Sequence, residues 1–279
     1  MNLTIGLSPC PNDTFIFDAM LNGKIDTEDL TFTYQLEDVE TLNRLAKTGS
    51  LDISKISYGA LPPLLPHYRV LNAGGALGRG VGPIFISKKF DTTSNPDLST
   101  MVVALPGIQT TAHLLFSLAY PEVKNKSFIP FHEIEEAVLQ DKVDAGVIIH
   151  ENRFTYKEKG LNKLADLGEV WEKNTGHPIP LGGIVARRDY DLSLLQKINR
   201  IIYNSLTYAF AHHEVLPDFV TTNAQEMSEK IMRNHIDLYV NDFSLNLGTA
   251  GRSAVWKLLE LSNQINNYTG GDDLEVFID

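Results

Sequence analysis

The sequence contains a single cysteine among 279 residues. One thiol cannot close an internal disulfide, and it cannot supply the thiolates of a cysteine-rich metal site. The stretch HEIEE at 132–136 has a histidine and glutamates, but it lacks the second histidine of an HExxH zinc motif. The sequence therefore predicts neither a disulfide framework nor a metal site.

Basic residues are also few. Lysine and arginine together number 24 against 35 acidic residues, which leaves a formal net charge of −11. Nucleic-acid binding depends on clustered Lys and Arg, so we expect no nucleic-acid partner. Long apolar runs are missing as well, because no stretch approaches the roughly 18 residues of a membrane span. We therefore expect no membrane partner.

The amino terminus reads MNLTIGLSP and has neither a basic segment nor a long apolar run. A secretory signal peptide needs both. We therefore expect a cytoplasmic protein. The hydrophobic content of 43% and the charged content of 21% are typical of a globular chain.

What the sequence does contain is an alternation of strand and helix patterns. An apolar run at 3–7 precedes a helical pattern at 14–22, and the run at 51–57 follows an amphipathic stretch at 38–48. The order of strand, proline-containing loop, threonine, helix and then helix, aspartate, strand occurs again at 101–150. Strands that alternate with helices predict an α/β fold with largely parallel sheets.

Two stretches rich in glycine and proline, at 70–87 and 177–191, interrupt this alternation, and each runs into a strand. We interpret them as crossings between two α/β lobes. The predicted division is 1–86 plus 188–279 for a discontinuous first lobe with C-terminal helices, and 87–187 for the second lobe. Ligands of such proteins bind in the cleft between lobes, where strand ends and helix N-termini meet.

A threonine pair, Thr110 and Thr111, stands at the predicted start of a helix. The free N–H groups and the positive dipole end of a helix N-terminus favour an anion, and two hydroxyls would add donors. This pattern predicts a clamp for a carboxylate or a phosphate. The alternative is that one threonine simply caps its helix.

The loop SPCPNDTF occupies the equivalent place in the first lobe. Asn12, Asp13 or Thr14 can cap the helix that follows, while the two prolines restrict the shape of the loop. Cys10 suggests a nucleophile with His150 as its base. The alternative is a small buried thiol in a tight turn, since free cysteine is among the most buried residue types.

His150 ends the strand AGVIIH and is the candidate general base. A titratable group at the carboxyl end of a core strand faces the cleft, and histidine is the usual base near neutral pH. The alternative is a structural histidine. The matching first-lobe segment is KISYGA, where Lys55 and Ser57 can reach the cleft and Gly59 allows a flat ligand to approach closely. The alternative for Lys55 is an exposed charge at the sheet edge.

Several segments together resemble the 1,4-dihydroxy-6-naphthoate synthases of the futalosine route to menaquinone. These segments are SPCPNDTF, SYGA, GRGVGP, PGIQTTA, IHENRFTY and PLGGI. The resemblance implies a two-lobed, type II periplasmic-binding-protein-like fold with its ligand in the cleft. It also implies a lyase that converts cyclic dehypoxanthine futalosine to 1,4-dihydroxy-6-naphthoate by base-initiated carbon–carbon cleavage. A small carboxylate substrate and the absence of any metal or organic cofactor follow from the same resemblance.

The resemblance further implies roles for individual residues. By motif, His150 corresponds to the general base. The residues that correspond to substrate contacts are Lys55, Ile56, Ser57, Thr110 and Thr111. The possible cleft-lining residues are Pro9, Asn12, Asp13, Gly80, Arg153 and Gly182.

Three alternatives share the expected architecture. Chorismate dehydratase of the same pathway is an enzyme that an assay with chorismate alone would distinguish. A non-catalytic binding protein for a small carboxylate would normally carry a signal peptide. The effector-binding domain of a transcription factor would have a DNA-binding helix-turn-helix attached, and the sequence predicts neither feature.

Overall fold

Two β-sheets with helices packed around them form two lobes. The structure is a computed structural model, and it describes residues 1–94, 96–225, 228–266 and 274–278. The α/β fold that the alternating patterns predict is confirmed. Within these residues, no helix is both long and apolar enough to cross a membrane.

The first sheet contains six strands. They are β1 (Asn2–Leu7), β2 (Thr31–Leu36), β3 (Ile53–Ser57), β4 (Tyr68–Val70), β5 (Ala76–Gly78) and β11 (Ile179–Arg187). Strand β1 lies between β2 and β3 and runs parallel to both, whereas β11 is antiparallel to β3, β4 and β5. The helices of this part are α1 (Pro11–Leu21), α2 (Val39–Lys47) and α3 (Leu61–Leu64).

The second sheet contains five strands. They are β6 (Ile84–Ser87), β7 (Val103–Leu105), β8 (Lys126–Phe128), β9 (Ala145–Ile148) and β10 (Asn162–Asp166). Strands β7, β8 and β9 are parallel, and β6 is antiparallel to β9 and β10. The helices here are α4 (Thr111–Ala119), α5 (Ile134–Leu139), α6 (Asn152–Thr155) and α7 (Leu167–Thr175).

Sheet membership places both crossings between lobes earlier than the sequence predicts. Strand β6 belongs to the second sheet, although its first residues fall within the predicted first-lobe segment 1–86. Strand β11 belongs to the first sheet, although the predicted second lobe extends to residue 187. An apolar strand pattern identifies a strand but not its partner, because strand pairing depends on distant parts of the chain.

The C-terminal part of the chain is helical, as predicted. Its helices are α8 (Leu192–Ala211), α9 (Asp218–Asn223), α10 (Glu229–Tyr239), α11 (Asp242–Leu245) and α12 (Gly248–Asn266). Helices α8, α9 and α10 pack against α1, and α12 packs against β11 and α3. The apolar stripe of α8 is fully buried at Leu195, Ile198 and Ile202. These residues belong to the same hydrophobic cluster as residues of β1, β3 and β11, so α8 forms part of the core beside the first sheet.

Two helix starts border the space between the lobes. Helix α1 begins with Pro11 at its first position, where a missing N–H has no consequence for the helix. Helix α4 begins after Thr110, whose hydroxyl accepts a hydrogen bond from the backbone N–H of His113 at 3.2 Å. Both starts follow the carboxyl end of a strand, which is the arrangement predicted for the cleft.

Candidate functional site

The candidate site is a cavity between the two lobes. Strands β3 and β11 and helix α1 border it in the first lobe, and α4 and the segment after β9 border it in the second. Eight residues singled out from the sequence line it: Asn12, Lys55, Ile56, Ser57, Thr110, Thr111, His150 and Gly182.

Four other candidates do not line this cavity. Pro9 and Gly80 lie outside it, and Asp13 is buried behind it. The guanidinium of Arg153 donates to the backbone carbonyls of Gly80 and Gly82 and contacts Asp166 Oδ2 at 3.3 Å. Arg153 therefore holds the first crossing between lobes against the second lobe.

His150 lies just beyond the carboxyl end of β9, with a backbone φ of 57°. This left-handed conformation is uncommon for residues other than glycine and is often found at functional sites. The imidazole packs between the ring of Phe131, at a centroid distance of 4.9 Å, and the parallel ring of His235, at 5.7 Å.

The environment of His150 keeps its imidazole neutral. Burial lowers the pKa of His150, and the positive charge of Lys55 acts in the same direction. The carboxylates of Glu151 and Asp13 oppose this effect on the pKa without reversing it. A neutral imidazole with a free lone pair is the form that a general base requires.

The polar loop SPCPNDTF surrounds a buried carboxylate. Asp13 accepts hydrogen bonds from the backbone N–H and the hydroxyl of Ser8, at 3.2 and 2.7 Å, and from Asn12 Nδ2 at 2.8 Å. Its Oδ1 also lies 2.7 Å from the ammonium of Lys55, and the two side chains are only 1% and 7% exposed. The loop thus serves to hold Lys55 as a buried cation in the cavity wall.

Lys55 is not an exposed charge at a sheet edge. Apart from its ion pair with Asp13, the ammonium has no hydrogen-bond partner within the described chain. Its remaining N–H donors are available to a ligand, since Lys55 lines the cavity. The site therefore favours a ligand that carries a negative charge or hydrogen-bond acceptors.

The sequence predicts that the hydroxyls of the two threonines donate to a ligand. In the structure, both hydroxyls donate to backbone carbonyls instead. The hydroxyl of Thr110 donates to the carbonyl of Gly107 at 2.8 Å, and that of Thr111 donates to the carbonyl of Leu181 at 2.6 Å. Both hydroxyl protons are thus committed to the protein. In contrast, the backbone N–H groups of Thr111 and Ala112 start α4 and have no partner among the described residues. These two N–H groups can bind a carboxylate.

Ser57 is a second hydrogen-bonding group of the cavity wall. The side chain of Asn43 accepts from the backbone N–H of Ser57 at 2.9 Å and donates to its hydroxyl oxygen at 3.2 Å. The hydroxyl of Ser57 therefore acts as an acceptor towards the protein, and its proton remains available to a ligand.

The absence of a side chain at Gly59 permits the close approach of the start of α4, not of a ligand. A Cβ at this position would lie 2.8 Å from the carbonyl oxygen of Thr110 and 2.9 Å from Cα of Thr111. The N–H of Gly59 donates to the hydroxyl of Thr111 at 2.9 Å. Gly59 is thus a contact between the lobes beside the cavity.

Cys10 does not have the properties of a nucleophile. It is buried at the N-cap position of α1 and does not line the cavity. Burial raises the pKa of the thiol strongly, and the negative charge of Glu151 adds to this effect. Because the thiolate is the reactive form, the geometry favours the alternative of a buried thiol.

Three residues that the sequence analysis did not select surround His150. Tyr239 lines the cavity, and burial raises its pKa to about 12, so its hydroxyl stays protonated. His235 is fully buried, and burial is the main reason that its pKa lies well below the ordinary value. Glu151 follows His150 in the chain, and its side chain is 12% exposed.

The ligand-type atoms of His150, Glu151 and His235 lie within 4.8 Å of one another. In the described part of the chain, this is the one group of histidine, cysteine and carboxylate side chains close enough to hold a metal ion. Sequence reasoning missed it because His235 belongs to an ordinary amphipathic helix far along the chain. Glu151 could have been identified from the sequence, because it follows His150 directly in the motif IHENRF.

Comparison with solved structures places the molecule in the class of two-lobed periplasmic-binding-protein-like folds. The periplasmic aliphatic sulphonate binding protein of Escherichia coli matches with a TM-score of 0.67 at 11% identity, over 99% of this chain and 90% of that chain. At this identity, the likeness concerns the fold alone. It confirms the fold class that the sequence predicted.

Relatives of higher identity define the family. The family model described as menaquinone biosynthesis matches residues 3–264. Two curated relatives named 1,4-dihydroxy-6-naphthoate synthase are each 43% identical to this chain. The one from Streptomyces coelicolor aligns over 92% of this chain and 91% of its own length, and the one from Thermus thermophilus over 92% of both. A solved protein of Archaeoglobus fulgidus has a TM-score of 0.88 at 32% identity, over 95% of this chain and 98% of its own. The chain belongs to the menaquinone biosynthesis family.

Proposed function

We propose that this protein is a lyase that converts cyclic dehypoxanthine futalosine to 1,4-dihydroxy-6-naphthoate in menaquinone biosynthesis. The family match and the shared name of two relatives at 43% identity support this function over most of the chain. One structural observation carries the proposal. The neutral imidazole of His150 shares a cavity with a buried ammonium and with the free N–H groups of a helix N-terminus.

In this proposal the carboxylate of the substrate binds at the start of α4. The N–H groups of Thr111 and Ala112 donate to it, and the positive end of the helix dipole adds to the attraction. The ammonium of Lys55 and the hydroxyl of Ser57 bind further oxygen atoms of the substrate. The apolar side chains of Ile56 and Leu181 pack against the ring system.

His150 then acts as the general base. It removes a proton from the bound substrate, and cleavage of the carbon–carbon bond is favoured because the product is aromatic. The protein contributes orientation, a positioned base and a cavity from which the closed lobes exclude water. No residue described here needs a metal for this role. As a biosynthetic enzyme, the protein would act on this small carboxylate in the cytoplasm.

Neither of two alternatives, chorismate dehydratase and a non-catalytic binding protein, is supported by the relatives or by the site. Both curated relatives named above are synthases, and neither is named a chorismate dehydratase. A non-catalytic binding protein has no need of a neutral histidine in left-handed backbone conformation at its cleft.

The test is a direct assay of the purified protein with cyclic dehypoxanthine futalosine, with the naphthoate followed by absorbance. The wild type should form product at the same rate with and without a chelator. His150→Asn should lower kcat by about 10²- to 10⁴-fold, the range for loss of a general base. Asparagine is chosen because it tolerates a positive φ.

Two controls make the assay specific. His132→Asn replaces an exposed histidine of the same lobe and should leave kcat unchanged. An incubation with chorismate alone tests the dehydratase. If the folded wild type formed no naphthoate, the lyase proposal would be wrong. If His150→Asn retained full kcat, the proposed base would be wrong while the lyase remained.

A further inference from the structure

His235 occupies a buried position in which the protein fixes one of its two ring nitrogens. Its Nε2 lies 2.9 Å from Oδ1 of Asn12. The orientation of the Asn12 amide is set by its other end, because Nδ2 donates to Asp13 Oδ1. Oδ1 of Asn12 can only accept, so Nε2 of His235 must carry the proton. In the neutral ring, Nδ1 then has a lone pair and no proton.

That lone pair faces a carboxylate oxygen. Nδ1 of His235 lies 3.5 Å from Oε2 of Glu151, and both atoms are buried without a hydrogen-bond partner in the described chain. Two buried acceptors next to each other without a donor are unusual, since buried polar groups are almost always hydrogen-bonded. Uptake of one proton would satisfy both atoms at once.

This pair of acceptors lies beside the proposed base. The rings of His150 and His235 are parallel, with an interplanar angle of 10°. The nitrogen and oxygen atoms of His150, Glu151 and His235 lie within 4.8 Å of one another. A separation of up to 4.8 Å exceeds direct hydrogen-bond reach, but one bridging water molecule can carry a proton across it.

We propose that Glu151 and His235, here called the relay pair, take up the proton that His150 removes from the substrate. This inference rests on the proposed lyase function. It adds two positioning residues, which act on the reaction through His150 and not by contact with the substrate.

The step is a proton transfer in two stages without any change in oxidation state. A bond from hydrogen to a substrate atom breaks, its electron pair stays on the substrate, and an N–H bond forms on His150. That N–H bond then breaks, its electron pair returns to the imidazole nitrogen, and an O–H bond forms on Oε2 of Glu151. The new O–H donates to Nδ1 of His235. His150 is neutral again and can serve in the next turnover once the proton has left.

The charges around the relay pair suit a proton acceptor. Lys55 is paired with Asp13, and Arg153 is paired with Asp166. Glu151 has no lysine or arginine within ion-pair distance in the described chain, so its negative charge is uncompensated. The remaining titratable neighbours, Cys10 and Tyr239, are both held protonated by burial.

The test compares Glu151→Gln with the wild type. Glutamine keeps the volume, and its amide can donate to Nδ1 of His235, but it cannot accept the proton. We expect kcat to fall about 10- to 100-fold with KM within about twofold. We also expect the unfolding midpoint to be at least as high as in the wild type, because the orphan acceptor gains a donor. The matched control is Glu158→Gln, which removes the same charge from an exposed position of the same segment and should change nothing.

A buffer titration separates a relay from a structural role. If the proton cannot leave His150 in Glu151→Gln, a small diffusible base such as formate should raise its kcat in proportion to concentration, with no effect on the wild type. An unchanged kcat, or a reduced kcat with a lowered unfolding midpoint and no response to formate, would overturn the proposal. A stoichiometric metal in the wild type that Glu151→Gln loses would overturn it too, in favour of a metal site.

A second measurement does not depend on activity. Nitrogen-15 spectra of the histidine side chains should show His235 of the resting wild type as the Nε2–H tautomer, with Nδ1 unprotonated. Nδ1 that already carries a proton at neutral pH would refute the relay pair, because the acceptor would be filled. These spectra test the protonation state of His235 even if the protein forms no naphthoate. Absence of naphthoate would refute only the lyase function.

Discussion

Gly59→Ala tests whether the contact between the lobes positions the start of α4. Gly59 lies in the short 3-10 helix Tyr58–Ala60 of the first lobe, and its backbone touches Thr110 and Thr111 of the second. The added methyl group would lie 2.8 Å from the carbonyl oxygen of Thr110, whereas ordinary contacts begin at 3.4 Å. The start of α4 would therefore have to retreat by the difference, about 0.6 Å. The obstacle is backbone, so no side-chain rotation relieves it.

The magnitude follows from the two interactions that are lost or strained. Overpacking of this kind costs about 1–3 kcal/mol, and loss of the hydrogen bond from Gly59 to Thr111 costs about 1 kcal/mol more. For catalysis, displacement of a binding group by such a distance can lower kcat/KM by about 10- to 100-fold. Most of this effect should appear in KM, because the N–H groups of Thr111 and Ala112 are the proposed carboxylate anchor.

The assay is steady-state kinetics with cyclic dehypoxanthine futalosine, combined with urea unfolding. Gly251→Ala is the matched control. Gly251 lies in α12, and its new methyl group would meet only side-chain atoms of Leu247 and Phe243, at 3.2 Å or more. That variant should keep its kcat/KM. If Gly59→Ala kept the KM of the wild type while losing about 2 kcal/mol of stability, the lobes would be in contact there without positioning the anchor, and the reasoning would be refuted.

Three further predictions concern charge. Lys55→Met leaves Asp13 buried without its cation, so the free energy of unfolding should fall by about 3 kcal/mol. The double variant with Asp13→Asn should recover most of this loss, and urea unfolding that shows no recovery would contradict a buried ion pair. Burial lowers the pKa values of His150 and His235 in the folded state. The unfolded chain therefore binds protons first as the pH falls, and stability that is complete above about pH 6.5 should decrease below it. His235→Gln should flatten this slope in unfolding measurements between pH 7 and 5, and an unchanged slope would show that His235 does not contribute. For kcat/KM, full activity should persist down to about pH 6.5 and decline only at lower pH.

Local patterns in the sequence were sufficient for the architecture and for much of the cavity wall. The apolar run that ends at Ser57 and the one that ends at His150 are buried strands, and residues at their carboxyl ends line the cleft. The reason is that parallel strands end at a common edge of the sheet, so a local pattern carries positional information. The same reasoning identified the helix start at Thr110.

The sequence alone did not decide how polar atoms are partnered. Thr110 and Thr111 have hydroxyls suited to a ligand, but the carbonyls that accept their protons belong to Gly107 and Leu181. Whether a hydroxyl is free depends on what lies within 3 Å of it in the folded chain. The folded structure likewise places three candidates outside the cavity wall. They are Pro9 in a loop, and Gly80 and Arg153 at the first crossing between lobes.

His235 is the clearest case of a residue that only the tertiary structure could select. In the sequence it is one of eight histidines and lies on an amphipathic helix that any small domain could contain. Packing of α10 against α1 brings its ring to Asn12, Glu151 and His150. The sequence by itself determined the main elements and the fold class and pointed to His150 as the candidate base, because these depend on local pattern and strand order. The tertiary structure decided which distant side chains surround that base, because burial and hydrogen-bond partners are properties of the folded chain.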